Sequence, residues 1–285
     1  MTIDHIKKYW DGYFKNGRKD YLKYSKKETA LKKKLGQHYK YFDFSQISPD
    51  PLEFPHRFKN YYDIEISAFI SSVFAFGNVR QINNTLEKIH LLMNNQPHEF
   101  VQNYSYKVGL KLFKDMRHRF YSSEDISKLF SSLNKIYSNY GSLKYFFLLY
   151  YFEKDANLKN SISFFSKNFL ELNSEKGNIT HGIKFMIPDP LRGSACKRMN
   201  LFLRWMVRKD ELDFGLWNEI PTSKLVIPVD THVAKICMQL KLTKQKNVSW
   251  KMAEEITERL KRFDAADPVK YDFALCHIGM RKLEL

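Results

Sequence analysis

Along the 285-residue chain the apolar positions recur at three- and four-residue steps, and no stretch alternates as a half-buried strand would. Val79, Ile82, Leu86, Ile89 and Met93 make one helical stripe. Ile126, Leu129, Phe130, Leu133, Ile136 and Tyr137 make a second, behind the polar start Ser122-Ser123-Glu124-Asp125. Val229, Val233, Ile236 and Leu240 line a third, and Met252, Ile256, Leu260 and Phe263 a fourth. The same reasoning predicts helices over 64–76 (opened by Asp63, stopped by Gly77), 143–152 and 162–172, and from Asp267-Pro268 to about residue 279. The body is expected to be all-α. A proline-bearing run from Ser48 to Pro55 divides an N-terminal arm and connector, 1–50, from a helical core, 51–285.

Composition narrows the setting. Forty-four per cent hydrophobic and 15% aromatic residues are enough for a substantial core. No apolar run approaches the roughly 18 residues of a spanning helix, and the first residues lack a secretory pattern. Cys196, Cys237 and Cys276 are widely spaced, with no C-x-x-C pair among them. These features predict a cytoplasmic protein with reduced thiols and no membrane partner.

Charge then points to a partner. Forty-seven Lys and Arg face 31 Asp and Glu, a net charge of +16, which favours polyanions and nucleic acid first. A genome bias toward lysine would raise Glu and Asp as well, so it does not account for the deficit of acids. Residues 1–40 hold 12 basic side chains against 4 acids, half of the net charge. Tyr9, Trp10, Tyr13, Phe14, Tyr21 and Tyr24 are interleaved there. The arm can lie along phosphates, with Lys32-Lys33-Lys34 its strongest contact, or dock its aromatics on the body as an ordinary helix.

Two segments carry candidate chemistry. In Ile187-Pro188-Asp189-Pro190-Leu191-Arg192-Gly193-Ser194-Ala195-Cys196-Lys197-Arg198, two prolines and a glycine force a turn between predicted helices over 179–186 and 195–208, a helix–hairpin–helix around 179–208. Ser194 is expected as the N-cap. The backbone N–H groups of Gly193, Ser194 and Ala195, flanked by Arg192 and Arg198, suit an anion. Lys197 falls in the first helical turn, where the helix dipole and partial burial would lower its pKa and free the amine for nucleophilic attack. The plainer reading is an inter-helix turn and a lysine on a basic stripe with Arg204 and Arg208. The second segment is Ile227-Pro228-Val229-Asp230-Thr231-His232-Val233-Ala234-Lys235. There Asp230 is either a routine helix cap or a catalytic carboxylate.

Together the hairpin lysine and the segment Pro228-Val229-Asp230-Thr231-His232 resemble the helix–hairpin–helix DNA glycosylase superfamily. The run Lys197-Arg198-Met199-Asn200-Leu201-Phe202-Leu203-Arg204-Trp205-Met206-Val207-Arg208 and the ending Asp267-Pro268-Val269-Lys270-Tyr271-Asp272-Phe273-Ala274-Leu275 are more similar still to an uncharacterised bacterial family beside it, over about 51–279. The usual L-P-G-V-G-R-K hairpin is absent, and Lys197 follows Gly193 by four residues instead of two. Lys197 and Asp230 lie 33 positions apart. An insert with Asp213-Phe214-Gly215-Leu216-Trp217 lengthens the gap, as in the archaeal 8-oxoguanine glycosylases, so an oxidised purine is the first substrate expected.

The resemblance implies a two-lobed helical glycosylase fold and a monomer that binds damaged or abasic duplex DNA, associated with the nucleoid when bound. It implies Lys197 as nucleophile at the sugar C1′ and Asp230 as the carboxylate beside it, with abasic-site lyase activity following from the Schiff base. Arg192, Gly193, Ser194, Ala195, Arg198, His232 and Lys235 would hold DNA. Phe74, Trp205 and Trp217 are candidates to stack on a flipped base. No metal or organic cofactor is called for. The alternative is a catalytically silent DNA- or RNA-binding module on the same scaffold.

Overall fold

The computed structural model describes residues 25–41, 43–173 and 179–281, and among them there are helices and no strand. The aromatics Tyr9 to Tyr24 of the arm lie outside the described residues. In chain order the helices are α1 (Lys26–Tyr41), α2 (Tyr61–Phe74), α3 (Val79–Leu92), α4 (Pro97–Gln102), α5 (Tyr106–Leu112), α6 (Ser123–Tyr140) and α7 (Leu143–Leu148). They continue as α8 (Lys159–Glu171), α9 (His181–Met186), α10 (Lys197–Val207), α11 (Thr231–Gln239), α12 (Trp250–Lys261) and α13 (Asp272–Arg281). The all-α expectation holds. None of these helices is long and apolar enough to cross a membrane.

Local chemistry explains where elements begin. Ser122 caps α6 by accepting from Asp125 N, while the Asp125 carboxylate returns to Ser122 N, a reciprocal capping box. α2 starts earlier than the sequence pattern suggests, because Asn60 accepts from Tyr62 N and Asp63 N. Asp63 is then free to accept from His98 N at 2.8 Å and steady the start of α4. The last helix begins at Asp272 and not at Asp267, whose carboxylate is turned aside to the Arg208 guanidinium at 2.9 Å. The helices α4 and α5 are too short to show a stripe in the sequence.

The described part of the basic arm packs on the body. α1 packs on α13, with Leu35 fully buried, and Glu28 pairs with Arg262 at 2.7 Å. Lys33 and Lys34 stay exposed on its outer side.

The two helices that matter most here, α2 and α10, pack directly on one another. Phe69 of α2 meets Phe202 of α10 edge-on, at 5.1 Å between centroids, and Phe202 in turn meets Trp217 at 5.2 Å. The insert after α10 folds back along that helix: Phe214 N donates to Trp205 O and Trp217 N to Met206 O, each at 2.8 Å. It thereby satisfies carbonyls that a helix end leaves open. The insert also supplies charge to the interior. Asp213 accepts from Arg204 and Arg208; Asp272 pairs with Arg204, and Asp210 and Asp267 pair with Arg208. The basic stripe expected at Arg204 and Arg208 is therefore absent from the surface: both guanidinium groups are buried in this network.

Candidate functional site

The turn between α9 and α10 is built from short-range bonds. Asp189 accepts from Leu191 N, a single 3-10 turn runs over Pro190–Arg192, and Gly193 closes it at φ +86°, donating its N–H to Pro190 O. A Cβ on Gly193 would meet nothing within 4 Å, so glycine is there for backbone conformation alone. Ser194 is not the N-cap. Its Oγ accepts from Cys196 N at 3.2 Å, and Cys196 itself caps α10 in the left-handed region at φ +46°. Lys197 is consequently the first helical residue.

Thirty-three positions on, Asp230 caps α11. Its Oδ1 accepts from His232 N and Val233 N, both at 2.9 Å. Its Oδ2 lies 2.9 Å from Lys197 Nζ. The cap and the catalytic readings of this aspartate are thus compatible, because each uses a different oxygen. Lys197 Nζ also donates to Ala75 O, 3.5 Å away at the end of α2, which the α2–α10 packing brings beside it. Both side chains remain partly open to solvent, at 29% for Lys197 and 23% for Asp230.

The electrostatics reverse one expectation. Burial acts to lower the Lys197 pKa, as anticipated, but the Asp230 carboxylate, with Cys276 and Asp50 adding to it, outweighs burial and raises the pKa above the ordinary lysine value. Lys197 is an ammonium in the free protein. For Asp230, burial pushes the carboxyl upward, and the Lys197 charge and the Val233 N–H pull it below its ordinary value.

The other candidate residues divide. Arg192 and Gly193 are exposed at the turn, Ser194 is half-buried, and His232 and Lys235 are exposed on α11. Arg198 does not flank an anion site. Its guanidinium is buried, donates to the Tyr121 hydroxyl and to Phe185 O, and lies over the Phe76 and Phe185 rings. Ala195 is buried too. Phe74, Trp205 and Trp217 are fully enclosed core residues, and Trp217 Nε1 donates to Glu65 Oε1 at 2.9 Å. None of the three presents a face to a base. A cleft of about 200 Å³ lies elsewhere, between Met93 and Leu112.

Sequence reasoning missed Ala75, Asp50 and Cys276 around the amine, and Glu65 in the core. Glu65 is fully buried and accepts from Tyr61, Tyr137, Trp217 and the backbone N–H groups of Leu143 and Lys144. A carboxylate inside an otherwise apolar helix was the one available signal. Among the described residues no group of three or more His, Cys, Asp or Glu side chains could hold a metal ion.

The fold and the site define a class: a helical protein in which a lysine at the start of one helix is held on the capping aspartate of the next. The chain belongs to the family described as "Protein of unknown function (DUF2400)", whose model matches residues 50–281. No curated protein and no solved structure matches the chain.

Proposed function

We propose that this protein is a DNA base-excision glycosylase with abasic-site lyase activity, acting on duplex DNA, with oxidised purines the first substrate class to test. One observation carries the reading: the 2.9 Å contact of Lys197 Nζ with Asp230 Oδ2 across 33 residues. It supports the reading because it joins the two residues that the resemblance singles out for chemistry, and leaves both within reach of solvent.

The chemistry balances with these two groups. A base must leave the stack before its sugar can be attacked. Lys197 gives up one proton, and its Nζ lone pair adds to C1′ as the bond from C1′ to the base breaks. The electron pair leaves with the base, which takes up one proton, so the ammonium's proton is accounted for. Loss of a second proton from Nζ, with protonation of the ring oxygen, opens the sugar to a Schiff base. Removal of a C2′ proton then expels the 3′ phosphate, and water releases the lysine. Asp230 stabilises positive charge on the sugar and the amine, and accepts the ammonium's proton before passing it to the departing base.

The raised pKa of Lys197 favours a second reading, a silent DNA- or RNA-binding module in which the pair only ties α10 to α11. Borohydride separates the two, because it reduces a Schiff base in place and leaves protein joined to DNA. Trapping of the native protein on abasic duplex is expected, with Lys197→Gln still binding but not trapped. A mutant trapped as well as the parent would move the nucleophile elsewhere. Binding without trapping by the parent would support the module.

A further inference from the structure

The segment after α11 carries Lys241, Lys244, Lys246 and Lys251 and, over 241–251, no acid. All four lysines are exposed, and none is in an ion pair among the described residues. The loop is held in one shape from below. Glu255 of α12 accepts from Thr243 Oγ1 at 2.9 Å, Lys244 N at 3.2 Å and Gln245 Nε2 at 3.2 Å, so its carboxylate faces into the loop. Thr243 Oγ1 also accepts from Gln245 N at 3.0 Å. At its far end the loop is tied to the hairpin: Trp250 N donates to Gly193 O at 3.0 Å. That bond sets Lys251 and the loop beside exposed Arg192.

We propose that the segment 241–251, a loop and the start of α12, and the α9–α10 turn form one phosphate-binding strip, in which Arg192, Lys244, Lys246 and Lys251 meet the backbone of a duplex whose reactive sugar lies at Lys197. The physical case is preorganisation. Lysines on a mobile loop lose conformational freedom when they bind, whereas here the backbone is fixed by Glu255 and Gly193 before the anion arrives. Duplex DNA is the occupant because several exposed cations carried on a fixed backbone suit the regularly spaced phosphates of a duplex. The inference rests on the duplex-DNA part of the reading above, and not on the lyase chemistry.

The test uses the full chain with Lys244→Gln, Lys246→Gln and Lys251→Gln combined, three exposed changes remote from the core. Affinity for an abasic-analogue duplex is measured across a salt series, and borohydride trapping at saturating DNA is measured beside it. Each lost phosphate contact lowers the slope of log affinity against log salt by about 0.9, so a fall of about 2.7 is expected. In consequence the affinity lost between about 50 and about 200 mM salt shrinks by roughly 40-fold. Trapping at saturation and the melting temperature should not change. An unchanged slope overturns the strip. So does a slope that falls for single-stranded RNA or for anionic vesicles but not for duplex. If the parent binds duplex through these lysines yet is never trapped, the strip stands and the lyase reading fails; if it is trapped and the slope is unmoved, the reverse holds.

Discussion

Asp230 divides its two oxygens between a backbone cap and an ammonium, and substitution can separate these tasks. In Asp230→Asn the remaining carbonyl oxygen still accepts from His232 and Val233, since Asn caps as well as Asp. The charge facing Lys197 is lost. The expected result is a melting temperature near that of the parent and trapping slowed by roughly 10²–10³-fold, the scale of one preorganised electrostatic contact. The pH profile supplies a readout that a structural role would not move. Burial lowers the Lys197 pKa and Asp230, which raises it, prevails, so the reactive neutral amine becomes more abundant as pH rises through neutral into the alkaline range. Without Asp230 only Cys276 and Asp50 still oppose burial, and the residual trapping rate should level off at a lower pH. A mutant profile identical to the parent's would remove the pair from the chemistry. Stability follows the same signs. The Lys197 contribution is present below the ordinary lysine pKa and is lost as pH rises through its raised value. The Asp230 contribution is present above the ordinary aspartate pKa and is lost as pH falls through its lowered one.

At the scale of elements, the hairpin is held from both ends and its two glycines serve different purposes. Gly193 stands at φ +86° with open space around it, so Gly193→Ala should cost about 1–2 kcal/mol through backbone strain alone. Gly182, in α9, is helical and crowded: a Cβ there would lie 2.2 Å from Asp125 Oδ2. That carboxylate closes the α6 capping box and accepts from the Thr180 hydroxyl. Gly182→Ala is therefore expected to cost roughly 1–3 kcal/mol in overpacking and about 1 more in the cap. Urea unfolding of both mutants checks the order, and a larger loss at Gly193 would contradict it. The hairpin was legible as a turn from its prolines and Gly193. That α9 rests on the α6 cap was not, because Gly182 and Asp125 are 57 positions apart and neither belongs to an apolar stripe.

For the whole molecule, the buried Arg204–Asp213–Arg208 network is where composition misled. Arg204, at 3% exposure, is bound on two sides by Asp213 and Asp272. Arg204→Ala would leave Asp272 without its charge partner in the interior and Asp213 with Arg208 alone, a loss of about 3–5 kcal/mol that a urea midpoint will show. A change below about 1 kcal/mol would mean that the network relaxes to solvent. Arg204 and Arg208 are thus consumed inside, as is Arg198, whereas lysines on α1, on α11 and over 241–251 stay exposed.

The sequence by itself determined the helices with stripes, the turn at Gly193 and the cap at Asp230, because each depends on residues within about one helical turn of one another. It also marked Lys197 and Asp230 as a pair, though only by resemblance. Tertiary structure alone decided that the two touch, since the packing of α2, α10 and α11 sets distances between residues far apart in the chain. It alone decided the sign of the Lys197 shift, which is a contest between burial and a carboxylate 33 positions away. And it alone assigned Arg198, Phe74, Trp205 and Trp217 to the core, because residue type tells what a side chain can do and only packing tells which way it faces.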